Sequence, residues 1–129
     1  MKQQQILKIY FGYGQKVDRS GLWNKLWRAS LGDHLLKKAK QLGIRQALII
    51  PAKAGYISEQ NISHHLSEIP FDGHPVYLEL VDHPEKLHAF LEENQHDLQS
   101  VSSILINDGI YKSFGCEITA KCETNRKDK

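Results

Sequence analysis

The residues of this chain with the clearest capacity for chemistry lie in one short segment, Lys53-Ala54-Gly55-Tyr56. A glycine in a loop exposes backbone N–H groups and lets a ligand approach closely, and a lysine supplies a compact positive charge. This combination can bind a phosphate group, but so short a motif is by itself more often a solvated turn. Lys112, after the last main strand, is a second candidate cation that either the same subunit or a neighbouring one would contribute.

Metal binding is the second chemistry that the residue types suggest, because the chain contains 7 histidines in 129 residues. His64 and His65 are the weak candidates. Adjacent histidines in a strand point to opposite faces, and no histidine or cysteine follows either of them at two or four positions to complete a local chelate. We therefore expect a surface role for both histidines and no dedicated metal site.

Redox and enzymatic chemistry have little support in the sequence. Cys116 and Cys122 are separated by five residues, a spacing outside the common zinc and redox motifs, so reduced thiols are the default and a redox pair is the alternative. No nucleophile elbow, phosphate-binding loop signature or zinc-protease motif is present, and no pair of carboxylates is marked as acid and base by its spacing. The sequence predicts that the protein is not an enzyme.

Composition and length describe an ordinary globular chain. Hydrophobic residues make up 40% and charged residues 25% of 129 residues, which fits one domain with a real core. The formal charge of +2 gives no argument for nucleic acid. The longest apolar run, Ala47 to Ile50, is far too short to span a membrane, and no signal-peptide pattern precedes the first strand. We expect a cytoplasmic protein.

The first half of the chain predicts a strand, a helical region and a second strand. Alternating β-favouring residues predict a strand over residues 5–12, and the apolar run Ala47–Ile50 predicts a central strand. Between them, apolar residues recur at helical spacing from Leu22 to Leu42 and include Trp23 and Trp27, with Gly43 as the stop. This region forms either one helix or two, and in the second case Asp33 is the cap of the second helix. The tryptophans are core residues by default, with a partner-contacting surface as the alternative.

The second half repeats this order after a polar loop over residues 51–70. Phe71 to His74 carry a turn signal, and Val76–Val81 form the next strand. Asp82 and Glu85 have the spacing of a capping box and Pro84 suits a first helical turn, so a helix begins there. Its expected core face consists of Leu87, Phe90, Leu91 and Leu98. Val101–Ile106 then predict the last strand, with Asp108-Gly109 marking its end or a hairpin into the tail.

The predicted fold is therefore α+β, a ferredoxin-like βαββαβ arrangement with two helices on one face of an antiparallel sheet and a long loop between the second and third main strands. We expect a single domain over residues 1–129, with a core at 5–107, the loop at 51–70 and a tail at 108–129 whose end is frayed. A sheet with one bare apolar face also favours oligomerisation.

Three segments of the sequence resemble a known family. They are Gly43-Ile44-Arg45-Gln46-Ala47-Leu48-Ile49-Ile50, then Gly55-Tyr56, then Pro75-Val76-Tyr77-Leu78-Glu79-Leu80-Val81-Asp82, and their order and spacing resemble the PII-like proteins of the domain of unknown function 190 group, which are related in fold to PII signal proteins and CutA. The resemblance implies a homotrimer that binds ATP, ADP or AMP between subunits. It also implies a signalling protein whose loop acts on a transporter, channel or enzyme.

The resemblance assigns candidate roles to individual residues. Nucleotide binding falls to Lys53, Gly55 and Tyr56 at the base of the loop, joined by Lys112, and partner binding falls to Ser58, Asn61, His64 and His65. Ile57 stands where the family commonly has a second glycine, and residues 94–103 lack the glycine-rich phosphate loop of PII proteins. Residues 19–29, with both tryptophans, are unusual for the group. The alternative function is a CutA-like protein that binds a divalent metal.

Overall fold

The computed structural model describes residues 3–15, 30–65 and 72–110 of the chain. The predicted tryptophan segment, Lys112, Cys116 and Cys122 lie outside these residues. The elements in chain order are β1 (Gln3–Gly12), α1 (Leu31–Gln41), β2 (Gln46–Pro51), β3 (Ala54–Gly55), β4 (Ser63–His64), β5 (Pro75–Asp82), α2 (Pro84–Glu93), a 3-10 turn (Asp97–Ser100) and β6 (Ser103–Ile110). No helix within the described ranges is long and apolar enough to cross a membrane.

The main sheet has the order β2-β5-β1-β6, and its neighbouring strands are antiparallel throughout. Together with α1 and α2 this confirms the predicted ferredoxin-like fold. The prediction that Ala47–Ile50 form a central strand is wrong, because β2 lies at the edge of the sheet that the described residues form and pairs there with β5 alone. Its run is apolar because Ala47 and Ile49 pack against the core while Leu48, pointing the other way, is 45% exposed.

Both helices pack on the same face of the sheet. The core consists of buried side chains from the two central strands and from the inner faces of the helices: Leu7, Ile9, Phe11, Val76, Leu78 and Leu80 from β1 and β5, and Leu31, Leu35, Ala39, Leu87 and Phe90 from α1 and α2. The alternation of buried residues along β1 and β5 fixes the register, since a slip by one residue would expose this whole set.

Helix α1 begins with a cap one turn earlier than Asp33. The Ser30 side chain accepts a hydrogen bond from the Asp33 amide at 3.2 Å, so Ser30 is the N-cap and Asp33 lies in the first turn. The predicted cap at Asp33 is therefore wrong, because Ser30 offers the hydroxyl at the position where the chain is still extended. The stop at Gly43 is confirmed: its φ of +72° is a left-handed conformation that favours glycine.

Helix α2 starts at Pro84, as predicted, but without the capping box. His83 is the N-cap and its side chain makes no capping bond. The carboxylate of Asp82 instead accepts hydrogen bonds from the amides of His83 at 2.6 Å and Arg45 at 2.7 Å, so it joins the end of β5 to the start of β2. Leu98 lies in the 3-10 turn beyond α2 and packs against the core from there, not from the helix.

Strand β6 continues past the predicted end at Asp108-Gly109. Gly109 pairs with Gln4 and Asp108 with Gln5, and the Gln5 side chain donates a hydrogen bond to Asp108 at 3.1 Å. The dipeptide therefore lies inside the strand, because β1 also starts earlier than predicted, at Gln3, and offers backbone partners to these residues.

The sheet face away from the helices is apolar at several positions and carries an aromatic cluster. Leu48 is 45% and Leu105 44% exposed on it. At its centre the rings of Tyr10 and Tyr77 lie 5.5 Å apart, and the Lys8 ammonium is 5.3 Å from the Tyr77 ring centre. The two helices leave this face uncovered, as the sequence predicted.

Candidate functional site

The loop between β2 and β5 contains a small hairpin formed by β3 and β4. Ala54 pairs with His64 and Gly55 with Ser63. The amide of His65 extends the pairing by donating to the carbonyl of Lys53 at 2.8 Å. The segment that the sequence singled out for phosphate chemistry is thus one arm of an ordered hairpin.

A buried histidine attaches this hairpin to the main sheet. The His74 side chain, immediately before β5, lies with Nδ1 at 2.7 Å from the Ser63 hydroxyl and Nε2 at 2.6 Å from the Ala52 carbonyl. A carbonyl only accepts, so Nε2 must donate, and in a singly protonated ring Nδ1 then accepts from the Ser63 hydroxyl. His74 is only 1% exposed. One ring therefore holds both arms of the loop.

The turn of the loop is held to the same segment by Gln60. Its side-chain nitrogen donates to the Gly73 carbonyl at 3.1 Å, and its side-chain oxygen accepts from the Ile57 amide at 3.1 Å. The amide of Ile57, at the position where the related proteins often have glycine, is thereby used within the loop. Ser58 adopts a φ of 54° in the turn that follows.

The predicted nucleotide residues at the loop base point to solvent. Lys53 is exposed and Tyr56 is 62% exposed. The surroundings of Gly55 leave room for a side chain, because a Cβ placed on it would have no atom within 4 Å. Its φ is not positive. The structure brings Lys53, Gly55 and Tyr56 together on β3 and its flanks, whereas Lys112 falls outside the described residues.

The predicted partner residues lie along the same loop. Ser58, Asn61 and His64 are exposed, and His65 is half-buried with its ring 5.7 Å from that of His74. Within the described ranges, no group of three or more histidine, cysteine or acidic side chains is arranged to hold a metal ion. Sequence reasoning missed Ile62, which is 66% exposed and directly precedes β4.

Residues 94–100, where the sequence lacks a glycine-rich loop, are held in place by side-chain contacts. Asn94 is buried and its side-chain amide donates to the Phe90 carbonyl at 2.9 Å, which closes the end of α2. The 3-10 turn that follows is joined to α1 by His34, whose Nε2 lies 2.9 Å from the Asp97 carboxylate. These side-chain contacts fix residues 94–100 against the helical layer.

The ferredoxin-like sheet, the helices on one face and the hairpin of β3 and β4 between β2 and β5 define the class of protein: an α+β chain with a PII-like fold. The sequence pattern of the DUF190 family, described as uncharacterized ACR, matches residues 4–107. The chain belongs to this family. No curated protein matches the sequence.

Solved structures support the same fold. The PII-like protein CPII from Thiomonas intermedia K12, described as nitrogen regulatory and bound to ADP, AMP and bicarbonate, matches with a TM-score of 0.52 at 14% identity over 84% of this chain and 87% of its own. A protein from Thermus thermophilus described as PII-like and signaling matches with a TM-score of 0.53 at 16% identity, over 89% and 94% of the two chains. At these identities the likeness concerns the fold.

Proposed function

We propose that this protein is a PII-like regulator that binds an adenine nucleotide between the subunits of a homotrimer and acts on a partner protein through its loop. Membership of the DUF190 family and the likeness to CPII, which was crystallised with ADP and AMP, support the ligand class. The proposed role is regulatory and not enzymatic, and its proposed location is the cytoplasm. The proposed unit is one domain over residues 1–129, with its core at 5–107, the loop at 51–70 and a tail at 108–129.

The single observation that carries the proposal is the open backbone at Gly55. A glycine is commonly required where φ is positive or where a neighbouring atom leaves no room for a Cβ. Neither condition holds at Gly55, which has no atom within 4 Å of the Cβ position and no positive φ. Open surroundings of this kind would let a ligand approach the backbone closely, as phosphate groups do at glycine-containing loops.

The neighbours of Gly55 supply the other contacts that a nucleotide needs. Lys53 is exposed two residues away and offers a positive charge for the phosphates. Tyr56 presents a largely exposed ring on which a base can stack. Lys112 is the proposed second cation. The ring and the charge on either side of an open glycine favour a ligand with both an aromatic base and a phosphate.

A homotrimer is proposed because the uncovered sheet face needs a partner. Leu48 and Leu105 remain about half exposed on this face, and a second copy of the chain would remove them from water. The test is mass measurement by light scattering. We expect three times the 14.8 kDa of one chain, and a smaller species when Leu48 is replaced by Lys. A monomeric wild-type mass would refute the intersubunit site.

The proposed mechanism is a shift of population between loop conformations. A nucleotide bound at Lys53 and Gly55 touches one arm of the hairpin, so it stabilises the loop conformation in which these contacts form. The loop then presents Ser58, Asn61, His64 and His65 differently to a transporter, channel or enzyme. The change in partner affinity cannot exceed the difference in nucleotide affinity between the two conformations, and the partner changes nucleotide affinity by the same factor.

The decisive experiment is nucleotide titration of the purified protein by calorimetry, with a thermal-shift assay in parallel. ATP, ADP or AMP should bind and raise the melting temperature. Lys53→Ala should weaken binding by about tenfold or more, which corresponds to about 1.4 kcal/mol. Gly55→Ala should also weaken binding without lowering the stability of the free protein, because the Cβ meets no atom.

Lys37→Ala is the matched control, because Lys37 is an exposed lysine on α1 away from the loop. It should bind nucleotide like the wild type. Equal losses in Lys53→Ala and Lys37→Ala would mean that only overall charge matters, and binding of none of the three nucleotides would reject the proposal. A stabilisation by zinc or copper alone, lost in a His64→Ala/His65→Ala variant, would support the CutA-like alternative.

A further inference from the structure

The imidazole of His74 is the most completely buried polar side chain at the loop base, and the proposed nucleotide site does not use it. Its two ring nitrogens contact two different arms of the loop. Nε2 donates to the carbonyl of Ala52, before β3, and Nδ1 accepts from the hydroxyl of Ser63, on β4. Both arms are therefore attached to the main sheet through one ring.

The segment that carries His74 is itself firmly part of the sheet. The His74 carbonyl accepts from the Tyr13 amide at 2.7 Å, and the Gly73 amide donates to the Tyr13 carbonyl at 2.9 Å. These main-chain bonds continue the pairing of β1 with β5 by one further step. His74 is thus anchored to the main sheet, and the hairpin is the part that can move away from it.

The chemistry of the contact explains why a histidine is present. Ser63 offers a hydroxyl proton and Ala52 offers a carbonyl oxygen, so the side chain between them needs an acceptor at one end and a donor at the other. A neutral imidazole has both on opposite sides of a rigid ring. Asparagine and glutamine carry their donor and acceptor at the same end of the side chain, and an apolar residue has neither.

We propose that His74 is a latch that holds the two arms of the loop hairpin together on the sheet. The loop has a second, released state in which both of these hydrogen bonds are broken and the arms part, so that the His65 amide leaves the Lys53 carbonyl. The two arms are also paired with each other, Ala54 with His64 and Gly55 with Ser63, so the loss of one bond to the ring weakens this pairing and favours the loss of the other. Release is therefore cooperative. Two further contacts attach the described part of the loop to the sheet: the Ala52 amide donates to the Pro75 carbonyl at 3.0 Å, and Gln60 in the turn donates to the Gly73 carbonyl at 3.1 Å.

The latch sits directly beside the residues proposed to bind nucleotide. Ala52 precedes Lys53, and the Lys53 carbonyl accepts the amide of His65, whose ring lies 5.7 Å from His74. The latch is nevertheless independent of the nucleotide proposal, because its two states are defined without a ligand. Its test below uses the free protein, so it can succeed or fail separately from nucleotide binding.

The test is amide hydrogen exchange measured by NMR on the full chain. The reporter is the His65 amide, which closes the hairpin onto Lys53, and the references are the amides of Leu78 and Leu80 in the central strand β5. Ser63→Ala removes the hydroxyl proton from one side of the latch. We expect the His65 amide to exchange at least about fivefold faster, with Leu78 and Leu80 unchanged, because only the hairpin opens.

Two further variants separate the latch from general damage. Ser63→Thr keeps the hydroxyl and should restore the wild-type exchange rate of His65. Glu59→Ala changes an exposed side chain in the turn of the same loop and should also leave that rate unchanged. The ring nitrogens of His74 supply a spectroscopic check: the wild type should show the proton on Nε2, and Ser63→Ala should shift the resonance of Nδ1 alone.

The outcomes are mutually exclusive. Faster exchange of His65 in Ser63→Ala, with rescue by threonine, supports the latch. An increase below about fivefold overturns it, as does an equal increase at Leu78 and Leu80, which would show that Ser63 contributes only to overall stability. A His74 ring with its proton on Nδ1 in the wild type would also overturn the proposed pair of bonds.

Discussion

Replacement of Asp82 tests directly how strongly its carboxylate connects β5 to β2 and α2. Asp82 is 3% exposed and accepts two short hydrogen bonds, from the Arg45 amide at 2.7 Å and from the His83 amide at 2.6 Å. It therefore connects the last residue of β5 to the turn before β2 and to the N-cap of α2. Asp82→Ala removes both acceptors and leaves two backbone N–H groups without them.

The magnitude follows from these two bonds. A hydrogen bond to a charged group contributes about 1.5–3 kcal/mol, and an unsatisfied buried donor costs about 1–3 kcal/mol. Relief of the buried charge offsets part of this loss, so we expect a total of about 3–4 kcal/mol. The Lys86 ammonium adds little, because it is 4.0 Å from the carboxylate and its side chain is 50% exposed.

Urea unfolding at fixed protein concentration measures this value. With a slope of about 2 kcal/mol per molar urea, the midpoint should fall by about 1.5–2 M. Glu85→Ala is the matched control: it removes an exposed carboxylate from the first turn of α2 and should cost no more than about 1 kcal/mol. A loss below about 1 kcal/mol for Asp82→Ala would refute the role of Asp82 as a junction.

Two further predictions concern the helical layer. Phe90 is fully buried against the sheet, so Phe90→Ala should lower stability by about 3–5 kcal/mol in urea unfolding, whereas a loss below about 1 kcal/mol would mean that α2 does not pack as described. Gly43→Ala should cost about 1 kcal/mol or more, measured as a lower melting temperature, because φ at this position is +72°; an unchanged or higher melting temperature would contradict the left-handed conformation.

The order of elements could be predicted from the sequence because local patterns determine it. Leu31, Leu35 and Ala39 recur at helical spacing and form the buried face of α1, and Gly43 ends the helix as expected. The position of β2 in the sheet could not be predicted in the same way. An apolar run such as Ala47–Ile50 fits a central strand and an edge strand of an oligomer equally well. Apolar residues predict that a strand is buried, but they do not predict which element or subunit buries it.

Helix starts show a similar limit. Several residues before each helix can cap it, and the choice depends on where the backbone is extended and on other demands for the side chain. Ser30 caps α1 although Asp33 has a suitable side chain, and Asp82 is committed to the Arg45 and His83 amides instead of a capping box. The sequence identifies side chains that are able to cap a helix, but tertiary structure decides which backbone amides they bind.

The histidine at the loop base could not be predicted for a physical reason. His74 meets Ser63 and Ala52 only because the hairpin folds back onto the end of β5, and residues separated by 11 and 22 positions have no periodic signature. A histidine between a turn and a buried strand was the available signal. In sequence it was indistinguishable from the exposed histidines, such as His64 and His88.

Gly55 shows how structure and sequence combine at the candidate site. Gly43 is explained by its left-handed backbone, and Gly12 by packing, since a Cβ there would lie 3.0 Å from the Gly73 Cα. Neither explanation applies to Gly55. The sequence could not distinguish a ligand-binding glycine from a glycine in a plain turn, and the open surroundings of Gly55 are compatible with the proposed ligand-binding role. Its replacement by alanine should therefore affect ligand binding and leave folding intact, which is the reverse of the result expected at Gly43.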